Sequence, residues 1–299
     1  MQINITGASG FVGQNLSLYL ENQNYIVHKL SLRNSWILNK DSDVVIHLAG
    51  KAHDTANTSA DEEYFKVNRD LTIKLFDEFL NSNIKDFFYF SSVKATADTV
   101  YGILDENHIS TPKTPYGKSK LEAEKYLLSQ ELPQNKRLFI IRPCMIHGPG
   151  NKGNLNLLYK VVEKRIPWPL AAFENQRSFL SIENLNFLIS EMLAKENLAS
   201  GIYNFADDES LSTNDLVRLI ANTNGKKGLL WKISSKLISG TAKIGDIIGL
   251  PLDSERLKKL TESYVVSNQK IKNALEIKSL PVSVIEGLET TIRSFGKKK

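Results

Sequence analysis

A single cysteine, Cys144, among 299 residues leaves no intramolecular disulfide to be made and fits a reducing compartment. No uninterrupted apolar run approaches the ~20 residues that a membrane span needs. The amino terminus moves straight into core-strand sequence, so no signal peptide is expected, and a cytoplasmic location is. No charge of one sign dominates: the net charge is +5, part of it in the three lysines 297–299. That run reads as a solvated tail rather than a nucleic-acid contact, and no nucleic-acid partner is expected. Internal repeats, low-complexity tracts and metal-ligand spacings are absent as well. What remains is ordinary globular composition, 41% apolar and 24% charged, on a chain long enough for one large or two interleaved domains.

The most informative stretch present is the first fourteen residues, MQINITGASGFVGQ. A β-branched run, Gln2 to Thr6, breaks at Gly7. Gly10 and Gly13 follow at three-residue spacing into a helix-forming run from Phe11 to Glu21. Strand, glycine turn and helix in that order make a cradle for a dinucleotide pyrophosphate. The first glycine permits the turn, the second admits phosphate oxygens to bare backbone, and the third lets the helix pack close. Free N–H groups and the positive dipole end of the helix then face the phosphates.

A second strand is expected over residues 25–30, followed by Ser31, Leu32, Arg33 and Asn34. An acid here would bind ribose hydroxyls and favour NAD. None is present, and Ser31 with Arg33 suits a 2′-phosphate. Residues 34–42 are too few for a full βα unit, so one crossover is abbreviated. Residues 43–49, DVVIHLA, read as a strand buried on both faces, with His47 a packed core histidine. A loop holding Lys51 and His53 precedes a helix over 62–81 that includes Asn68. Residues 85–90 form the next strand, ending at Ser91 and Ser92. A helix opens at Pro115 and runs to about Ser129, and 138–142 is a strand ending in Pro143. A loop over 148–156 carries Asn154 and leads to a helix near 157–164. Short strands are expected at 179–182 and 202–205, with a helix over 183–195 between them. Ser212 caps a further helix. The alternating order stops after Ala206. The expected fold is therefore α/β, a doubly wound parallel sheet over residues 1–206, with a smaller, mainly helical C-terminal domain over 207–299.

Tyr116 and Lys120 lie four apart, on one helix face. A free tyrosine titrates near ~10 and shuttles protons poorly at neutral pH. An ammonium one turn away favours the phenolate, so Tyr116 can exchange a proton with a substrate oxygen while hydride moves at the carbon. Ser92, at the carboxyl end of its strand, can donate to the same oxygen, on the edge where open α/β sheets bind ligands.

Gly7 to Gly13, residues 43–49, Ser92, Tyr116 to Lys120 and Arg142-Pro143 together resemble the extended short-chain dehydrogenase/reductases that act on nucleotide sugars, the NAD-dependent epimerase/dehydratase family. The resemblance runs nearly the whole length. It implies a Rossmann domain, a C-terminal domain holding a nucleoside diphosphate, and catalysis by Ser92, Tyr116 and Lys120. It implies dinucleotide contacts at Gly7, Ser9, Gly10, Phe11, Val12, Gly13, Ser31, Arg33, Leu48, Ala49, Gly50, Asn68, Lys120 and Pro143. It implies substrate contacts at Lys51, Val93, Asn154 and Arg177, the last two near the uridine diphosphate and on the diphosphate. A nucleotide-sugar substrate and a homodimer are expected on the same basis.

Departures from the family narrow the chemistry. The family's 4,6-dehydratases carry Asp-Glu after the residue at Ser92; Val93-Lys94 stand here, so elimination lacks its catalysts. The missing acid after the second strand points to exchangeable NADP(H), with NAD(H) the alternative. Residues 142–150 (RPCMIHGPG), Asn154 and 176–184 (QRSFLSIEN) look like the branch containing 4-ketoreductases of UDP-4-keto-6-deoxy-N-acetylhexosamines, which serve surface polysaccharides. A UDP-sugar 4-epimerase with tightly bound NAD, and a non-catalytic dinucleotide sensor, are the alternatives. Cys144 reads as core, and Tyr101-Gly102 as incidental.

Residues 229–250 are the most apolar part of the C-terminal region. Trp231, Ile233, Leu237, Ile238, Ile244, Ile247 and Ile248 recur at roughly helical spacing among Lys232, Lys236 and Lys243. The expectation is a helix, or a pair broken at Gly240, packing this face on the domain. At most weak, salt-sensitive membrane-surface affinity goes with it.

Overall fold

The structure is a computed structural model and describes residues 1–51, 60–151, 153–248 and 253–296. His53, Gly249 and the lysines 297–299 lie outside the described residues. In chain order the elements open with β1 (Gln2–Thr6), α1 (Phe11–Asn22), β2 (Ile26–Leu30) and β3 (Val44–His47). Next come α2 (Asp61–Phe65), a π-helical turn (Lys66–Asp70), α3 (Leu71–Leu80) and β4 (Asp86–Phe90). A 3₁₀ turn (Val93–Ala95), β5 (Ile103–Leu104), α4 (Pro115–Ser129), β6 (Arg137–Pro143) and β7 (Met145–His147) follow. Then come α5 (Asn154–Glu163), β8 (Arg177–Ser181), α6 (Ile182–Ala194), β9 (Gly201–Phe205), β10 (Ser210–Leu211) and α7 (Thr213–Thr223). The chain closes with α8 (Ser235–Ile248), α9 (Ser254–Thr261), β11 (Val265–Val266), α10 (Gln269–Leu275) and α11 (Val284–Gly296).

Six strands form one parallel sheet in the order β2-β1-β3-β4-β6-β9. The order reverses between β1 and β3, the switch point beside which such sheets bind ligands. The α/β Rossmann expectation is met. β4 shows why the sheet is covered on both faces. All five residues of its sequence DFFYF are buried. Phe88 and Phe90 pack with Ile3, Leu16, Leu20 and Leu185 on one face. Phe87 and Tyr89 pack with Phe76, Phe79 and Leu127 on the other. A third apolar cluster joins Leu155, Phe179, Val217, Ile238, Leu288 and Ile292, drawn from α5, β8, α7, α8 and α11.

Several sequence expectations shift. The helix over 62–81 is interrupted by the π turn, which inserts one residue between α2 and α3. The helix expected near 157 starts at Asn154. β7 was not anticipated; it is three residues long and pairs with β8 in a small sheet β10-β8-β7. α8 runs through Gly240 without a break, and Trp231 lies before it. Its inner face buries Ile238 and Ala242, whereas Leu237 is 66% and Ile244 54% exposed. Trp231, 56% exposed, is likewise outside the packed face. Ile233 packs against the same core, and the side chains of Ile247 and Ile248 lie outside what the structure describes, so among the described side chains the apolar spacing meets the core in part.

Candidate active site

The turn between β1 and α1 is built on close approaches. Gly7 adopts φ +68, and a Cβ on Gly13 would lie 2.3 Å from the Gly7 carbonyl oxygen. The helix is capped by Gly10 with no side-chain hydrogen bond and no acid in its first turn. Its leading N–H groups therefore point outward without intrahelical acceptors. A bare, acid-free helix end fits a pyrophosphate, and the residues present would hold a dinucleotide there.

The helix that carries Tyr116 and Lys120, α4, is positioned by its cap. Asp98 accepts from the backbone N–H groups of Lys113 (2.6 Å) and Thr114 (3.3 Å) and from the Thr114 hydroxyl (3.0 Å). Thr114 in turn accepts from the Gly117 N–H at 3.3 Å, and Pro115 fills the first helical position. Gly117 runs so near the 3₁₀ turn that a Cβ would meet the Lys94 carbonyl at 2.4 Å. That close passage brings Tyr116 to the end of β4, where Ser92 hydrogen-bonds to it.

Val12, Leu48, Gly50, Lys51, Ser92, Tyr116, Lys120 and Pro143 line one cavity of about 260 Å³, together with Phe90, Ser91, Cys144 and Ile146. The sequence thus placed eight of these wall residues; Phe90 and Ile146 carry no chemical signal that could have found them. Ala49 closes the neighbouring turn by donating its N–H to the Thr6 hydroxyl at 3.1 Å. Ser9, Gly10 and Phe11 stand at the entrance to α1. Ser31 and Arg33 are exposed past the end of β2. Three expected substrate residues are outside the cavity wall. The Val93 side chain is buried with Val100, Leu104 and Tyr264. Asn154 is exposed at the start of α5, and Arg177, half-buried at the start of β8, feels Glu262.

Lys120 is buried, donates to the Phe90 carbonyl at 2.8 Å, and lies 4.9 Å from the centre of the Tyr89 ring. Burial lowers its pKa to about 8, against the opposing pull of Glu124. For Tyr116, burial pushes the hydroxyl up, Ser92 pulls it down, and Tyr64 adds to the rise. The phenol is therefore held protonated, as a proton donor, rather than as the phenolate expected from the Tyr-Lys spacing alone. Burial is the larger effect.

Beneath the cavity, Asn68 is fully buried in the π turn. Its carboxamide accepts from the Lys51 N–H (2.7 Å) and donates to the Lys51 carbonyl and the Ser119 hydroxyl (3.1 Å each). His47 bridges Thr6 (2.7 Å) and Thr72 (2.9 Å), and Thr72 donates to the Asn68 carbonyl at 2.8 Å. Burial, then the charge of Lys120, lowers the His47 pKa to about 3, so it is neutral. It is the packed histidine expected. Cys144 packs half-buried against the core, as expected, and also lines the cavity wall, its thiol pushed well up by burial and Asp207. Tyr101 is 90% exposed and Gly102 sits in a turn, away from the cavity wall.

The family description "NAD dependent epimerase/dehydratase family" matches residues 3–206. UDP-glucose 4-epimerase of Vibrio cholerae is 29% identical over 97% of this chain and 94% of its own length. GDP-6-deoxy-D-mannose reductase of Pseudomonas aeruginosa is 25% identical over 73% of this chain and 78% of its own. The crystal structure of UDP-N-acetylglucosamine 4-epimerase from Bacillus cereus superposes with a TM-score of 0.77 at 20% identity, covering 99% of both chains. Glycine turn, switch-point cavity and Ser-Tyr-Lys constellation agree with these likenesses: the chain is an enzyme of the NAD-dependent epimerase/dehydratase family.

Proposed function

We propose that the protein reduces the C4 keto group of a UDP-linked 6-deoxy-N-acetylhexosamine, with NADPH, for surface polysaccharide synthesis in the cytoplasm. The observation that carries this is the end of β2. No carboxylate follows it within residues 31–38, and Ser31 and Arg33 stand exposed where a 2′-phosphate would lie. Bound NADPH would supply hydride to C4. Tyr116 gives its proton to the C4 oxygen, Ser92 holds that oxygen by a hydrogen bond, and the Lys120 ammonium offsets the charge left on Tyr116. Elimination has no catalysts, since Val93 is buried and Lys94 donates to the Asp98 carbonyl at 2.8 Å. Asn154 and Arg177, at the starts of α5 and β8, would take the uridine diphosphate.

A second reading, UDP-sugar 4-epimerase with retained NAD, is favoured by the Vibrio cholerae relative that spans nearly the whole chain. Incubating the enzyme with UDP-4-keto sugars and NADPH or NADH separates them. Reduction consumes the reduced nicotinamide and gives an NMR-identifiable alcohol; epimerisation turns over with no net consumption. A non-catalytic sensor of dinucleotides is disfavoured by the intact Ser92–Tyr116 hydrogen bond and the buried Lys120.

Replacing Arg33 by Ala is expected to weaken NADPH binding about tenfold to a hundredfold, because a charge-assisted hydrogen bond contributes ~1.5–3 kcal/mol. NADH affinity should stay level. Equal losses in fluorescence titrations of the two would remove the 2′-phosphate assignment, and with it the main support for net reduction.

Among the described residues no helix is long and apolar enough to cross a membrane. Trp231, Leu237 and Ile244 are nonetheless exposed beside exposed Lys232, Lys236 and Lys243. That combination suits weak, salt-sensitive adsorption to anionic lipid by the enzyme, acting as a homodimer. Co-flotation with anionic liposomes should be slight at low salt and vanish at high salt. Flotation that survives high salt and is lost in Trp231→Ser/Leu237→Ser would show firm insertion instead. Sedimentation of the free protein reads the dimer.

A further inference from the structure

One buried charge pair has no place in the proton transfer itself. Glu124 lies one turn beyond Lys120 on α4 and is 1% exposed at its side chain; Arg142, on β6, is 3% exposed. Arg142 clamps the carboxylate with two hydrogen bonds, Nε to Oε1 at 3.0 Å and Nη2 to Oε2 at 2.5 Å. The Ser91 hydroxyl donates to Oε1 from the other side. Ser91 is the neighbour of Ser92, and Lys120 itself bonds the carbonyl of Phe90 just before it. The pair therefore ties the end of β4, the catalytic helix and β6 together directly under the site.

A buried ion pair of this kind is costly to desolvate, and apolar packing would serve stability as well. Something else must hold a carboxylate beneath a buried ammonium. We propose that Glu124, clamped by Arg142 and Ser91, is a positioning residue whose fixed negative charge keeps Lys120 an ammonium under Tyr116. The proposal rests on the reading that Tyr116 and Lys120 form the proton-transfer pair.

The other titratable groups around Lys120 do not supply that charge. Tyr116 and Tyr89 are buried phenols raised by burial, and His47 is neutral. Tyr64 packs edge-on to Tyr116, and the Cys144 thiol is raised well up. Lys51, on the cavity wall, is itself a cation, paired with Glu63. Glu124 is the counter-charge that acts on Lys120, while burial alone would drive the amine towards its neutral form.

The test reads Lys120 without needing the substrate. The rate of acetic anhydride labelling at Lys120, followed by peptide mass spectrometry against pH, gives the midpoint of its titration, expected near 8 in the unmodified enzyme. Glu124→Gln/Arg142→Gln replaces the pair by two neutral amides and strands no charge. The midpoint should fall by about one pH unit. Arg142→Gln alone leaves only the negative partner, and the midpoint should rise. Opposite directions are the signature of a charge effect; a structural clamp would move neither, or move both alike. Should the double variant not fold, Glu124→Asp, which draws the carboxylate back from Lys120 while keeping the pair, should give a smaller fall. Unmoved midpoints in folded variants overturn the proposal. Full turnover in Lys120→Met would instead overturn the proton-transfer reading on which it rests.

Discussion

Tyr116→Phe is expected to lower turnover by about 10²–10⁴-fold, the usual worth of a positioned general acid, with dinucleotide affinity nearly unchanged. The ring keeps its place: it packs edge-on to Tyr64, with centroids 6.3 Å apart, and Thr114 and Asp98 still hold the helix start. Only the oxygen that meets Ser92 is lost. Because the phenol is held protonated by burial, its removal takes away a donor for the developing alkoxide, and the loss should fall on kcat rather than on binding. Near-normal turnover in a folded variant would exclude Tyr116 as the acid. The measurement is steady-state kinetics with a UDP-4-keto sugar, alongside a fluorescence titration of the dinucleotide.

Gly13→Ala is expected to disrupt both fold and dinucleotide binding. The added methyl would sit 2.3 Å from the Gly7 oxygen and 2.6 Å from the Ala8 Cα, both backbone atoms that cannot swing aside. Overpacking of this sort costs about 3 kcal/mol, read as a fall of several degrees in the thermal midpoint, and the dinucleotide cradle should be lost with it. Gly10→Ala is the informative control. Its methyl meets only the Gly7 oxygen, at 3.3 Å, so the fold should stand. The new Cβ occupies the face that phosphate oxygens approach, and dinucleotide affinity should drop by at least about tenfold. A Gly13→Ala protein that melts normally and binds normally would show that α1 does not pack as close to the turn as its backbone indicates.

What could be read from the sequence follows the range of the interactions involved. The glycine turn, the doubly buried strands and the Tyr-Lys spacing are local patterns, and all three recur in the structure. Ser92 was reachable because it ends a strand whose edge is known. The π turn at Asn68 was not. Its sequence, KVNRD, continues the apolar spacing of the helices on either side, and nothing in composition marks one extra residue. β7 was invisible for a different reason: its three residues become a strand only by pairing with β8, more than thirty positions away. Trp231, Leu237 and Ile244 have the spacing of a packed face and yet remain exposed, because spacing tells which residues share a stripe and not which stripe meets a core. The Glu124–Arg142 pair joins two elements that each read as ordinary, a helix and a strand, and only their packing makes a buried charge.

The π turn has a further consequence. Each residue advances an α-helix by about 100°, so the extra one acts as a phase slip between two stretches that must face different neighbours. On the C-terminal side Leu75, Phe76 and Phe79 are locked to the sheet. On the N-terminal side Tyr64 must meet Tyr116. The same residues wound as continuous α-helix, with α3 keeping its grip on the sheet, would turn Tyr64 away from the site by roughly a quarter of a revolution. The wide winding at this point is therefore as much a part of the site as the identity of the side chains, and regular helix in its place would spoil the Tyr64–Tyr116 contact while leaving Ser92, Tyr116 and Lys120 in the sequence.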